Sequence, residues 1–188
     1  MNIEVTDACN LNCSSCHTPH GSAFMTPNDF ERILQKLRPG QVRLHWRGEP
    51  CLHPRLPELT ELAKKNGVGK LWLSTNTAVP NLSDAEYVDG LLGNLDMLEC
   101  CVDGYDQRSL ERYRVGASWK RLTENLETIS RSKSGCLREM RVLMFRYNEG
   151  REDFYRKLAG EHGFHQISFA QPIINYGMTL REDRKSVV

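Results

Sequence analysis

Apolar and polar positions follow two periods along this chain, and the two exchange places repeatedly. Residues 2–6 (Asn-Ile-Glu-Val-Thr) alternate strictly, as a strand with one apolar face does. The same period of two predicts strands over residues 42–48, 70–76, 97–104, 138–148 and 166–171. Between them the period lengthens to that of a helix. Thr26 is placed to cap a helix with Pro27 in its first turn, Phe30, Ile33, Leu34 and Leu37 line one face, and Pro39-Gly40 closes it. Further helices are predicted from Leu56 to a stop at Asn66-Gly67, from the Ser83-Asp84-Ala85-Glu86 cap to about residue 92, and over residues 119–130 and 152–162. Six strands with five intervening helices, about 30 residues per unit, predict parallel strands joined by right-handed helical crossovers. Six units fall short of the eight of a closed barrel. The expected fold is α/β: a partial, open (β/α)6 barrel with parallel strands. One domain is expected over residues 1–179, with residues 180–188 a charged C-terminal tail.

Within each strand the alternation sorts chemistry as well as polarity. Leu71, Leu73 and Thr75 oppose Trp72, Ser74 and Asn76. Leu98, Cys100 and Val102 oppose Glu99, Cys101 and Asp103, while Val42, Leu44 and Trp46 oppose Arg43, His45 and Arg47. A barrel packed for stability alone is lined with Val, Ile and Leu. The polar faces are expected to line the interior and to suit a charged cofactor. His45 and Arg47 then face substrate or satisfy neighbouring carboxylates, and Trp46 and Trp72 are packing groups.

Composition narrows the function classes. Of 188 residues, 25 are Lys or Arg and 24 are Asp or Glu, a net charge of +1, so no global field indicates nucleic acid. No apolar run approaches the roughly 18 residues of a membrane span, and no secretory leader pattern opens the chain; a cytoplasmic location is expected. Seven cysteines is the count that changes the picture. Cys9, Cys13 and Cys16 fall on one loop after the first predicted strand, and Cys51, Cys100, Cys101 and Cys136 are scattered. Three thiolates on one short loop can converge on a soft metal centre: zinc, Cu(I) or an iron–sulfur cluster. His17 or His20 could complete a structural zinc site, but no second ligand pair exists, and the spacing favours iron–sulfur.

Cys9-x3-Cys13-x2-Cys16 after an opening strand resembles the signature of radical S-adenosylmethionine (SAM) enzymes. Gly48-Glu49-Pro50 resembles the Gly-Glu-Pro motif after their second strand, and Ser74-Thr75-Asn76-Thr77 the Ser-Thr-Asn-Gly end of their third. Cys101-Val102-Asp103-Gly104 followed by Tyr113-Arg114-Val115-Gly116-Ala117-Ser118-Trp119 is similar to a stretch of the SPASM-linked subgroup, whose extra cysteine-rich domain has no counterpart here. Three residues depart from the pattern. Ser15 stands where an aromatic residue is usual, Cys101 replaces a Ser, and Thr77 replaces a Gly.

The resemblance implies a [4Fe-4S] cluster on Cys9, Cys13 and Cys16 whose open iron chelates S-adenosylmethionine. SAM contacts would come from the Ser15 backbone, Gly48, Glu49, Pro50, Ser74, Asn76, Asp103 and Arg114. It further implies an enzyme that cleaves SAM to a 5′-deoxyadenosyl radical, which abstracts hydrogen from a peptide, sugar or nucleotide. A flavodoxin or ferredoxin would supply the electron. Cys101 or Cys51 would serve as a hydrogen-atom donor if it faces the lumen. Two alternatives stand beside this reading: a zinc-binding interaction module, and a homologue that binds cofactor without catalysis.

Overall fold

The computed structural model describes residues 1–16 and 20–172. Five strands, β1 (Gln41–Arg43), β2 (Lys70–Thr75), β3 (Met97–Cys101), β4 (Leu137–Leu143) and β5 (Gln166–Ala170), form one parallel sheet in sequential order. The connections carry α1 (Pro27–Leu37) ahead of β1, then α2 (Leu56–Lys65), α3 (Ala85–Leu92), α4 (Gln107–Glu111) with α5 (Trp119–Arg131), and α6 (Glu152–Glu161). Repeated crossovers of one hand put the helices on one face and leave the other open. Residues 17–19, with His17 among them, and residues 173–188, with the predicted tail, lie outside the described residues.

The first predicted strand is reduced. Residues 2–6 run beside β1, but pair only through a parallel bridge of Asn2 with Arg43 and an antiparallel bridge of Thr6 with Phe24. Side chains have taken over the ladder. Glu4 Oε1 accepts the backbone N–H of both Arg47 and Gly48, at 2.9 and 3.1 Å. The second predicted strand is cut short in the same way, because the Ser74 N–H that would extend it donates to His45 Nδ1 at 2.9 Å. The pieces keep their expected places while the regular ladder stops at Arg43.

The alternation places the core where the sequence put it. Val42, Leu44, Leu71, Leu73, Leu98, Cys100, Val102, Met140 and Val142 are buried beneath the helices with Phe30, Leu34, Leu59, Leu91, Leu122, Leu126 and Ile129. At about 25 cal/mol per Å² this apolar burial is the main stabilising term. Caps fix the helix ends: Thr26 Oγ1 accepts from Asp29 N, Asp84 from Glu86 N and Ser118 from Arg121 N. Arg138, on the helix-covered side, donates to the Ile129 and Ser130 carbonyls at the end of α5. The short α4 was not expected. It is nucleated by Asp106, which accepts Ser109 N while Ser109 Oγ accepts Asp106 N. Trp46, expected to pack, is 61% exposed, because the chain leaves the sheet before reaching it.

After β2 the chain turns through Thr77, whose φ of 65° lies in the left-handed region that the usual glycine adopts freely. Fully buried Asn125 on α5 anchors this turn, donating from Nδ2 to the Thr77 and Val79 carbonyls at 2.7 and 2.8 Å. Asn125→Ala leaves two buried carbonyls without a donor. It is expected to cost about 3 kcal/mol, read as a lower urea midpoint at unchanged slope.

Candidate functional site

The candidate site lies at the C-terminal ends of the strands, where open α/β sheets place their ligands. Its keystone is Glu49, 3% exposed. One carboxylate oxygen accepts Cys51 N at 3.0 Å and Thr75 Oγ1 at 2.8 Å, and the other accepts Asn76 N at 2.6 Å. Burial pushes its pKa up, while these hydrogen bonds and nearby Arg114 oppose the rise. Three of about four lone-pair positions are filled and one is left. Its backbone N–H donates to the Ala8 carbonyl at 2.7 Å. Gly48 is required by contact rather than by φ, since a Cβ there would stand 2.1 Å from the Thr6 carbonyl oxygen. The Gly-Glu-Pro turn is thus pressed against the start of the cysteine loop.

That loop is fastened at three more points. Asn10 Oδ1 accepts from Asn76 Nδ2 at 2.9 Å, and Asn10 Nδ2 donates to the Ala78 carbonyl. Asn12 N and Ser14 N donate to the Val115 and Tyr113 carbonyls. Ser15 Oγ donates to the Tyr113 hydroxyl at 3.2 Å. Cys9, Cys13 and Cys16 lie on this one loop, and Cys16 N donates to the Cys13 carbonyl at 3.0 Å. Among the described residues, no three Cys, His, Asp or Glu side chains are gathered tightly enough to hold a single metal ion. Burial raises the Cys9 thiol to about 11 and raises Cys13, whereas Arg114, with Nη1 3.9 Å from Cys13 Sγ, pulls Cys13 back down.

Arg114 connects the fourth motif to this loop. Its Nε donates to Asp103 Oδ2 at 2.6 Å, and its guanidinium lies over the Tyr113 ring at 5.2 Å. Asp103 is fully buried, and its other oxygen accepts Leu143 N at 2.7 Å. Both Asp103 oxygens are committed, so Asp103 acts by holding Arg114. Among the described residues, three of the five guanidinium N–H groups stay available. Pro50 opens a single 3-10 turn, Pro50–Leu52, and is buried with Cys51.

The four remaining sequence candidates divide by place. Ser74, Asn76 and Cys101 share the open face with Asp103, and Ser74 Oγ stands 3.4 Å from Cys101 Sγ. Burial lifts the Cys101 thiol to about 11. Cys51 lies in the apolar core instead, fully buried. Sequence reading missed Asn10, Thr75 and Tyr113. Asn10 carries a usable signal, a polar amide between two clustered cysteines, whereas the Ser15–Tyr113 contact spans 98 positions and has no local one.

Below this end, the open face holds His45. Its Nδ1 accepts Ser74 N, so the ring is neutral with its proton on Nε2. Burial, with Arg43 and Arg141 nearby, lowers its pKa from 6.5 to about 4. As pH falls from about 6.5 to 4, the unfolded chain takes up a proton that the folded chain refuses, so stability is lost on the acid side. The His45 resonances are expected to stay those of a neutral Nε2–H ring down to about pH 5. His45→Gln is expected to make the acid-side loss of stability shallower, measured by urea melts across that range.

Comparison with known proteins fits this geometry. Residues 3–158 match the Radical SAM superfamily. A segment is 35% identical over 83 residues to the 7,8-dihydro-6-hydroxymethylpterin dimethyltransferase of Methanocaldococcus jannaschii, covering 40% of this chain and 16% of that protein. In fold the chain is similar to TYW1 with a lysine-pyruvate adduct bound, with a TM-score of 0.70 at 18% identity, over 100% of this chain and 67% of that one. It is similar also to Streptococcus suis SuiB bound to S-adenosylmethionine, with a TM-score of 0.73 at 15% identity, over 95% of this chain and 41% of that one. The chain thus spans well under half of its curated relative and of SuiB. No helix among the described residues is long and apolar enough to cross a membrane. With the family matched over most of its length, and with four separated motifs meeting at one end of a parallel sheet, the chain belongs to the Radical SAM superfamily.

Proposed function

We propose that this chain is a radical SAM catalytic core, over residues 1–179, holding a [4Fe-4S] cluster on Cys9, Cys13 and Cys16 with S-adenosylmethionine beside it. The observation that carries the reading is convergence. Four connections meet at the cysteine loop: Asn10 on it bonds to Asn76, which bonds to Glu49, and Cys13 on it contacts Arg114, which pairs with Asp103. The donor set fits the group. Three thiols on one loop leave a cubane one iron without a protein ligand, and soft sulfur donors select iron–sulfur chemistry. When bound, the cluster supplies the single electron that splits SAM into methionine and a 5′-deoxyadenosyl radical.

The protein's own residues bind, orient and shield. The Gly48 and Pro50 backbone and the one vacant lone pair of Glu49 receive the SAM ammonium, a charge-assisted hydrogen bond in a dry site. The available Arg114 N–H groups receive the SAM carboxylate, with Asp103 fixing the guanidinium. Ser74, Asn76 and the Ser15 backbone border the nucleoside. Substrate, a small molecule or peptide, lies on the open face, where the protonated Cys101 thiol is placed to return a hydrogen atom. Cys51, fully buried, would need an opening of the core to do the same. A flavodoxin- or ferredoxin-type protein delivers the electron.

Anaerobic reconstitution with iron and sulfide, followed by dithionite reduction and EPR, tests this reading. The expected result is a brown protein with about four irons per chain, a reduced-cluster signal that shifts on adding SAM, and slow release of 5′-deoxyadenosine. Replacing Cys9, Cys13 and Cys16 together by Ala is expected to abolish the iron and the signal. A colourless protein holding one zinc and indifferent to SAM would overturn the reading. Bound SAM without 5′-deoxyadenosine would mark the non-catalytic homologue.

A further inference from the structure

The open face carries an imbalance that the cofactor chemistry does not use. Among the described residues, each of its carboxylates has a hydrogen-bond or ion-pair partner. Glu4 accepts Arg47 N and Gly48 N, Glu99 pairs with Arg141 at 3.0 Å, Glu139 accepts from Gln166 and Ser168, and Asp103 is held by Arg114 and Leu143 N. Two donors do not. Arg43 and Trp72 face each other in register across β1 and β2. Arg43 Nε and Trp72 Nε1 are both buried, and neither has a hydrogen-bond partner. Among the described residues Arg43 forms no ion pair. Its guanidinium lies 5.5 Å from the Trp72 ring centroid, an attraction that positions the cation without satisfying its N–H groups. One step along the same face, His45 adds a further N–H at Nε2.

A buried donor without an acceptor loses its water and regains no hydrogen bond, and two together on one face call for an occupant that brings acceptors. We infer that the Arg43–Trp72 pair, with His45 above it, is a subsite for an oxyanion of the substrate, a carboxylate or a phosphate. From Trp72 to Asn76 is four residues along β2, about 13 Å of strand. The substrate is therefore an elongated acidic molecule. Its anionic end is anchored where Arg43, the last residue of β1, meets Trp72 inside β2, and its reacting carbon lies about 13 Å away, toward the cysteine loop. The bidentate geometry of an arginine beside an indole N–H suits a planar or tetrahedral oxyanion better than a neutral carbonyl. This deepens the proposed function and rests on it for the position of the reacting carbon. The anion site itself is present without cluster or SAM.

The test separates the two. In a Trp46→Phe, Trp119→Phe background of the full chain, Trp72 is the sole tryptophan. Its fluorescence is followed on adding sodium acetate or inorganic phosphate against sodium chloride at matched ionic strength. A saturable change with acetate or phosphate, weakened at least tenfold by Arg43→Gln, is expected. The tighter of the two probes identifies a carboxylate or a phosphate as the natural group. Trp72→Phe, read by calorimetry in the otherwise native chain, is expected to weaken the same probe, and it keeps the test decisive should Arg43→Gln unfold. No saturable change, an equal response to chloride, or an affinity untouched by both variants would overturn the subsite. None of these results bears on 5′-deoxyadenosine formation, so the anchor can fail while the radical chemistry stands.

Discussion

A single buried carboxylate holds this site together. Glu49 ends β1's connection, yet its oxygens close the far end of β2 and its own 3-10 turn, and its backbone N–H holds the cysteine loop through Ala8. An anion removed from water is costly unless its lone pairs are filled. Here three neutral donors on two segments, Cys51 N in its own turn and Thr75 Oγ1 and Asn76 N at the end of β2, fill them, so those segments cannot drift apart without exposing the charge to an apolar surrounding. The one lone pair they leave is both the incompletely met part of this arrangement and its opportunity, because a cationic ligand group completes it.

A second buried anion repeats the device on the other side. Asp103 joins the end of β3 to β4 through Leu143 N and fixes Arg114, which in turn reaches Cys13. The cysteine loop is thus clasped between an acidic group at the β1–β2 end and a basic group at the β3–β4 end. In the proposed reading this polarity would suit the zwitterionic end of S-adenosylmethionine, with its ammonium toward Glu49 and its carboxylate toward Arg114. The sheet's open face continues downward from this clasp as satisfied acids and unsatisfied donors, while its other face is apolar core. One periodic sequence therefore separates stability from chemistry across the thickness of a sheet.

Much of this was legible in the chain. The period of two sorted Leu71, Leu73 and Leu98 into the core and Ser74, Glu99 and Asp103 onto the open face, because backbone geometry alone dictates that alternation. Thr26 and the Ser83-Asp84-Ala85-Glu86 stretch announced their helices through capping chemistry. What escaped was the substitution of side chains for backbone. Residues 2–6 alternate as a strand should, but Glu4 bonds to Arg47 and Gly48 where a ladder would continue, and His45 does the same to Ser74. Neither is a local propensity. Thr77 carries the backbone conformation of the glycine it replaces, held by Asn125, 48 residues away, as well as by Thr75 Oγ1, which accepts its N–H. In the site, the cysteine spacing and the Gly-Glu-Pro turn could be named from sequence, whereas the partners that aim them, Asn10, Thr75 and Tyr113, follow from tertiary contact.

The account turns on Glu49 serving the cofactor as well as the fold. The direct measurement is SAM affinity of the reconstituted protein by calorimetry, wild type against Glu49→Gln, with Thr75→Val as the variant that removes a hydrogen bond to Glu49 but keeps its charge. The account predicts that Glu49→Gln weakens SAM at least tenfold while iron content and the far-ultraviolet dichroism persist, and that Thr75→Val weakens it far less. Equal SAM affinity in wild type and Glu49→Gln, with the cluster loaded in both, would contradict it and reduce Glu49 to a strand-end tie.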